Sequence, residues 1–196
     1  MFRLSHRRLF TLTRSVIIPT LCAVLLAFSA VSEAGSKPLN YTASGGFEQT
    51  PFSYFPDGAP SGSITLAGTS TSGPITVHEW AAASANGNTC TPPSGVPNAG
   101  LQATYSDSLE IITFKATGDF LIQNLVSGTI CIDLTSASPP FPFDGILTVS
   151  NVGGTGKFAG ATGTETLNFA GQFLSCGATL CVGYVRHDET GKVTTP

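Results

Sequence analysis

An acid, a base and a large aromatic side chain adjoin at His78-Glu79-Trp80, the most obvious place in this chain for acid–base chemistry. Adjacent residues of a β-strand point to opposite faces of the sheet. His78 and Glu79 therefore cannot act as one pair unless a β-bulge intervenes. The alternating pattern places Glu79 on the face of Ile75 and Val77 and predicts that His78 is a surface or structural residue.

Four other polar residues are candidates for catalysis: Glu110, Asp133, Tyr184 and Arg186. The two carboxylates fall within predicted strands, where an inward side chain would be a general acid or base with a pKa raised by burial, and an outward one would serve solvation. Tyr184 and Arg186 share a face of the last predicted strand and could bind a ligand oxygen inside a barrel. We expect these last two residues on the exterior.

Four of the five cysteines lie beyond residue 34: Cys90, Cys131, Cys176 and Cys181. In an exported protein an even number indicates disulfides, and four cysteines allow three pairings. We favour Cys176–Cys181, which would pin a short loop, and Cys90–Cys131, which would tie an irregular segment to a strand. No metal site is predicted, because thiolate sites use paired short spacings such as C-x-x-C, which this chain lacks.

Residues 1–34 have the form of a secretory signal peptide. A basic segment precedes an apolar run over residues 15–30, and Ser32-Glu33-Ala34 supplies small residues for cleavage after Ala34. The apolar run is short for a membrane span. We therefore expect a secreted or periplasmic protein whose mature chain has no span, with twin-arginine export through Arg7-Arg8 as the alternative to the general route.

The mature chain is acidic. Four of the nine basic residues but only one of the twelve acidic residues lie in the leader, which leaves a net charge of −6 with His neutral. Such a surface repels phosphate backbones, and no Lys/Arg cluster remains to reverse this locally. We expect no nucleic-acid partner.

Residues 35–196 contain eight to ten short runs with strand-like alternation and no amphipathic helix. The runs are Leu39–Ser44, Gly62–Gly68, Pro74–Trp80, Leu101–Tyr105, Leu109–Lys115, Asp119–Leu125, Gly128–Thr135, 143–150, 164–169 and Cys181–His187. This pattern predicts a single all-β antiparallel domain. An eight-stranded barrel fits the length and leaves no exposed edge, and a two-sheet β-sandwich is the alternative.

Three segments are predicted to be irregular. Ala81–Gly100 is expected to be a long loop held by Cys90, and Asp188–Pro196 a mobile tail. The aromatic cluster Phe52–Phe55 precedes Pro-Asp-Gly and is expected to form a turn with anchoring side chains, or alternatively a lip over a ligand pocket.

A glycine-rich segment joins the last two strands before the closing one. Five glycines are expected to supply positive φ angles for a tight reversal, while Phe158 packs back onto the core. The glycines are Gly153, Gly154, Gly156, Gly160 and Gly163. A dinucleotide-binding turn is a rival interpretation of these glycines, but it must open a helix, and the Thr-rich residues that follow are poor helix formers. We expect no cofactor.

The segment Gly153–Gly163, G-G-T-G-K-F-A-G-A-T-G, resembles the G-G-T-G-x-F-x-G-A-x-G element of the dirigent and allene oxide cyclase barrel superfamily. The resemblance covers about ten residues closely and the flanking strands more weakly. It implies an eight-stranded antiparallel barrel in which this element joins neighbouring strands. Members include plant cyclases and coupling proteins that use acidic, Tyr and Arg side chains inside the barrel.

Three functions remain open from the sequence. The leading hypothesis is a non-catalytic exported barrel that binds a small apolar molecule or contributes to the cell exterior, because no nucleophile–base arrangement is present. The second, implied by the resemblance, is an isomerase or cyclase with a shaped apolar cavity and one acidic residue. The third is a structural or adhesive surface module.

Overall fold

The computed structural model describes residues 35–51 and 60–196, which form eight β-strands and one 3-10 turn. The strands are β1 (Gly35–Thr50), β2 (Ser61–Ser70), β3 (Gly73–Cys90), β4 (Gly100–Phe114), β5 (Phe120–Asp133), β6 (Phe141–Gly154), β7 (Gly163–Cys176) and β8 (Cys181–Thr195). The predicted signal peptide and the Phe52–Phe55 cluster lie outside the described residues. No helix in the described part of the chain is long and apolar enough to span a membrane.

The eight strands close into a barrel. Each strand pairs antiparallel with the next, and β1 also pairs with β8, with partners running from Gly35 opposite Thr195 to Gln49 opposite Cys181. This ring confirms the predicted all-β antiparallel barrel. Because every described strand pairs with a neighbour on each side, the ring differs from the two-sheet alternative, which would leave edge strands.

The strands are longer than the sequence pattern predicted, because bulges let a strand continue where its alternation breaks. The predicted runs over residues 101–105 and 109–115 lie on one strand, β4, whose register against β3 shifts between Ala82 and Ala83. The pairing of β5 with β6 shifts between Leu125 and Ser127, at the break between two other predicted runs.

Two predictions of irregular structure were wrong. β3 continues to Cys90, so only residues 91–99 connect it to β4, instead of the predicted loop Ala81–Gly100. The predicted tail Asp188–Pro196 belongs largely to β8, which pairs with β1 on one side and β7 on the other. Both segments are rich in small or polar side chains. Beyond Ala82 the described pairing of β3 is with β4, to Cys90 opposite Gly100, whereas the end of β8 is paired on both edges.

The turn between β6 and β7 covers one end of the barrel, here called the closed end. β6 and β7 are antiparallel neighbours joined through the 3-10 turn Gly156–Phe158. Phe158 is buried and stacks on Phe114 with ring centroids 4.4 Å apart. The core position expected for Phe158 is therefore observed.

Four of the five glycines in this turn adopt positive φ: Gly153, Gly156, Gly160 and Gly163. Gly154, expected to do the same, does not. It instead lies so close to Phe158 and to the backbone of Phe120 that a Cβ would collide with both. Its role is close approach rather than chain reversal.

Both favoured disulfides are present, Cys90–Cys131 and Cys176–Cys181. The first links the end of β3 to β5, and the second links the adjoining ends of β7 and β8. Both lie at the end of the barrel opposite Phe158, here called the open end.

Candidate functional site

An apolar cavity of about 180 Å³ occupies the barrel interior at the open end. Its aromatic walls come from β1, β4, β6 and β7: Phe47, Tyr105, Phe143, Phe169 and Phe173. Ala85 lines the cavity and is exposed, so the cavity reaches the surface there. Glu79 and His187 are the lining residues deepest along β3 and β8, and they form its inner end.

Small inward side chains create this space. Gly62 on β2, Ala81 and Ala83 on β3, and Ala103 on β4 all line the cavity. The inward positions on the other side of the barrel carry large rings, such as that of Phe143. The small and the large side chains together leave part of the interior unfilled. An eight-stranded barrel is just wide enough to hold one small ligand when its inward side chains leave room.

Below the cavity, a layer of buried polar side chains crosses the barrel. The members of this polar layer are Tyr41, Glu79, Ser108, Glu110, Gln123, Asn151, Glu165, His187 and Glu189. Four of the nine are glutamates. All five Lys and Arg residues of the described chain are exposed, so no buried Lys or Arg of the described residues balances these carboxyl groups.

Hydrogen bonds fix the deeper part of the polar layer. Gln123 donates through Nε2 to Glu189 (2.9 Å), Glu165 (3.2 Å) and Asn151 (3.1 Å). Asn151 in turn donates through Nδ2 to Glu165 at 2.6 Å. One amide donor is thus shared among several acceptors, which indicates that this cluster is short of donors.

The part nearer the cavity is built around two other glutamates. Tyr41 donates its hydroxyl proton to Glu110 Oε1 at 2.6 Å, and Ser108 donates to Glu79 Oε1 at 2.9 Å. The imidazole of His187 lies between these carboxyl groups, with Nε2 3.7 Å from Glu79 Oε2 and Nδ1 3.9 Å from Glu110 Oε2. Neither distance is a hydrogen bond.

Burial dominates the protonation of this group. It raises the pKa of Glu79 to about 7, although the Ser108 hydrogen bond acts in the opposite direction. Burial, and then the charge of Glu79, raise the pKa of Glu110 well above its usual range. Burial also lowers the pKa of His187 to about 3, which keeps the imidazole neutral at pH 7. Glu79 is therefore the cavity-lining carboxyl group that exchanges its proton near neutral pH.

Six buried polar atoms of the described residues have no hydrogen-bond partner: Glu79 Oε2, Glu110 Oε2, Gln123 Oε1, Glu165 Oε2, His187 Nδ1 and Glu189 Oε2. Five of them are oxygens that can accept but, when ionised or amide, cannot donate. Unpartnered buried polar atoms are costly, and two of the six belong to residues that line the cavity, Glu79 and His187, where a ligand can reach them.

A single metal ion fits this arrangement poorly. Glu79, Glu110 and His187 do offer ligand atoms within 4.8 Å of one another. However, the two carboxylates face different nitrogens of the ring, whereas a mononuclear site needs both beside the same nitrogen. The closest contact of each carboxylate is thus to a different ring nitrogen, at 3.7 Å and 3.9 Å.

Of the four catalytic candidates named from the sequence, Glu110 and Asp133 are buried, but only Glu110 belongs to the polar layer inside the barrel. Asp133 neighbours cavity-lining Ile132 on β5 and therefore points to the opposite face. There Ser94 and Thr135 hydrogen-bond to Asp133 and lower its pKa to about 2, so it is no general acid.

Tyr184 and Arg186 lie on the exterior. Tyr184 is exposed, and Arg186 forms an ion pair with Asp188 at 2.9 Å, also at the surface. These two residues do not reach the cavity, because the inward positions of this part of β8 are Val185 and His187.

Sequence reasoning missed His187, Glu165 and Glu189 as site residues. The signal was present in β8, where Val185, His187 and Glu189 alternate with exposed residues. It was overlooked because the predicted strand ended at His187. Glu79 was placed on the correct face, beside Ile75 and Val77, but was not named as a candidate. His78 is exposed, as expected.

The chain matches no protein-family model, no curated protein and no solved structure.

Proposed function

We propose that this protein is an exported barrel that binds one small apolar molecule in its cavity. The observation that carries the proposal is an apolar space of about 180 Å³ with access to the surface. An engineered apolar cavity of about 150 Å³ is large enough to bind benzene. The cavity therefore accommodates a molecule of one ring with a short substituent.

Export is supported by the signal-peptide pattern of residues 1–34 together with the two disulfides. Disulfides persist in oxidising compartments and are rare in the cytosol. The small Gly153–Gly163 element, joining antiparallel neighbours as the dirigent and allene oxide cyclase resemblance implies, supports placing the chain in that superfamily.

Binding is tested by titration calorimetry of the purified protein with ethylbenzene. We expect saturable binding of one molecule, and loss of binding in Ala103→Phe, because the added ring fills the cavity. Ala67→Phe is the matched control, since it adds the same group on the outer face of β2. Absence of saturable binding to the wild-type protein, or equal binding by Ala103→Phe, would overturn the proposal.

A second candidate function is proton-transfer catalysis of the isomerase or cyclase type. The specific observation in its favour is Glu79, a cavity-lining carboxyl group with a pKa of about 7 next to neutral His187. A general base works best when its pKa lies near the operating pH. In such a reaction Glu79 removes a proton from the carbon beside a carbonyl group, and the protonated Glu79 returns a proton to the enolate at the same carbon or, where a neighbouring C=C extends the enolate, at the far end of that double bond.

Deuterium incorporation from D₂O into phenylacetone, followed by NMR, tests this second function. We expect exchange above the solvent rate in the wild-type protein and a loss of about 100-fold or more in Glu79→Gln. Glu48→Gln, at an exposed position, serves as the control. Equal exchange in Glu79→Gln and the wild-type protein would exclude Glu79 as the base.

A further inference from the structure

The inner end of the cavity is short of positive charge. Four buried glutamates lie in the polar layer, and every Lys and Arg of the described residues is exposed. His187, the basic residue at this level, is kept neutral by burial. Positive charge near Glu79 must therefore come from bound protons or from outside the protein.

The same region is short of hydrogen-bond donors. Glu79 lines the cavity, is almost completely buried, and has one oxygen, Oε2, without a partner. Its other oxygen already accepts from Ser108. A ligand that donates at this point would satisfy an atom that the protein leaves unpaired, whereas an anionic ligand would meet a second negative charge.

Aromatic rings line the cavity close to His187, which forms its inner end with Glu79. Phe169 lies 6.2 Å from the His187 ring and 5.8 Å from the Tyr105 ring, centroid to centroid, and both aromatic residues line the cavity. Ring faces attract a cation within about 6 Å, most strongly where water is excluded. Carboxylate and aromatic walls together select for an ammonium group.

We infer that the ligand is a small amine whose protonated nitrogen lies against Glu79 and whose single apolar group lies among Phe47, Phe143 and Phe173. This inference rests on the proposed binding function and names its ligand class. A neutral ligand of the same shape leaves Glu79 Oε2 without a strong donor, and an acid is repelled. Selectivity for the amine is thus a property of the inner end, while the walls supply affinity for the apolar group.

The inference is tested with four molecules of similar shape: 2-phenylethylamine, 2-phenylethanol, phenylacetate and ethylbenzene. Calorimetric titrations of the wild-type protein at pH 8 are expected to show the amine binding at least about tenfold more tightly than the alcohol and ethylbenzene, and phenylacetate binding most weakly. In Glu79→Gln the ratio of amine affinity to ethylbenzene affinity is expected to fall about tenfold. Glu48→Gln is the surface control.

The outcomes separate this inference from the binding function. If ethylbenzene binds as tightly as the amine, or if Glu79→Gln leaves the ratio of amine affinity to ethylbenzene affinity unchanged, the amine inference fails while cavity binding stands. If none of the four molecules binds, the binding function itself fails. One equivalent of metal in the purified protein, lost in Glu110→Gln, would assign the unpaired oxygens to coordination and also overturn the inference. The wild-type series decides the matter even if Glu79→Gln does not fold.

Discussion

Glu79 belongs to the polar layer and also lines the cavity. One carboxylate oxygen is held by Ser108 in the polar layer, and the other is unpaired beside the cavity. Because burial brings its pKa to about 7, a modest change in surroundings shifts its charge. Any ligand that enters the cavity reaches a group whose charge it can alter.

Replacing Glu79 with Gln should weaken the dependence of stability on pH. The pKa of Glu79 rises from 4.5 to about 7 on folding, so unfolding releases a proton between these values. The free energy of unfolding therefore falls as pH rises through that window, by up to about 3 kcal/mol from this residue. Urea unfolding at pH 5 and pH 8 measures the effect.

The other titratable groups facing Glu79 remain in both proteins of that comparison. The raised pKa of Glu110 acts in the same direction, and the lowered pKa of His187 acts in the opposite direction below its usual value of 6.5. We expect Glu79→Gln to gain stability over the wild-type protein mainly at pH 8. An equal difference at both pH values would mean that Glu79 is ionised throughout.

At the level of single residues, the sequence allows the face of a side chain to be predicted better than its partners. Alternation along β3 placed Glu79 on the face of Ile75 and Val77, and alternation along β5 placed Asp133 opposite Ile130 and Ile132, without deciding which face was inward. The position of His187 between Glu79 and Glu110 could not be predicted, because it depends on how β8, β3 and β4 are arranged around a closed ring.

Among the elements, the β6–β7 turn is the clearest example of a sequence motif with a structural purpose. Its positive-φ glycines reverse the chain, and the turn places Phe158 against Phe114 at the closed end. Phe158→Ala should cost about 3–5 kcal/mol of unfolding free energy, because it removes a buried ring. Denaturant titration measures the loss.

Val152→Ala is the control for that substitution, since Val152 is exposed at the end of β6. It should change stability by no more than about 0.5 kcal/mol. Equal losses in the two variants would show that Phe158 does not anchor the closed end.

The two disulfides should contribute unequally. Cys90–Cys131 joins residues 41 apart, and cross-linking a loop of this length restricts the unfolded chain by about 3–4 kcal/mol. Cys176–Cys181 joins residues only 5 apart and should contribute less. We expect the Cys90→Ser/Cys131→Ser protein to lose more thermal stability than the Cys176→Ser/Cys181→Ser protein. The reverse order would contradict the loop-closure explanation.

The element boundaries that the sequence misjudged have a common cause. β3 beyond Trp80 and β8 beyond His187 contain small or polar residues, which give a weak strand signal on their own. In the barrel β4 holds this part of β3, and β1 and β7 hold this part of β8, so tertiary pairing overrides local propensity. The irregular pairing of β3 with β4 could not be predicted from the sequence of either strand alone.

For the whole molecule, the interior is arranged in three levels: the cavity at the open end, the polar layer across the middle and an apolar core around Phe114 and Phe158 at the closed end. The barrel itself was predictable from alternation and length. The cavity was not, because its volume depends on the combined sizes of inward side chains from all eight strands. Ala81 and Ala103 leave room for a ligand only because the inward side chains of the surrounding strands do not fill the space beside them.

The central claim, that a small apolar molecule binds inside the barrel, is tested most directly by a methyl-resolved NMR titration with ethylbenzene. We predict saturable shifts for the inward methyl groups of Ile130, Leu147 and Val185, which line the cavity, and none for exposed Val126 and Val152. Shifts confined to the exposed methyl groups, or no shifts at saturating ethylbenzene, would contradict the claim.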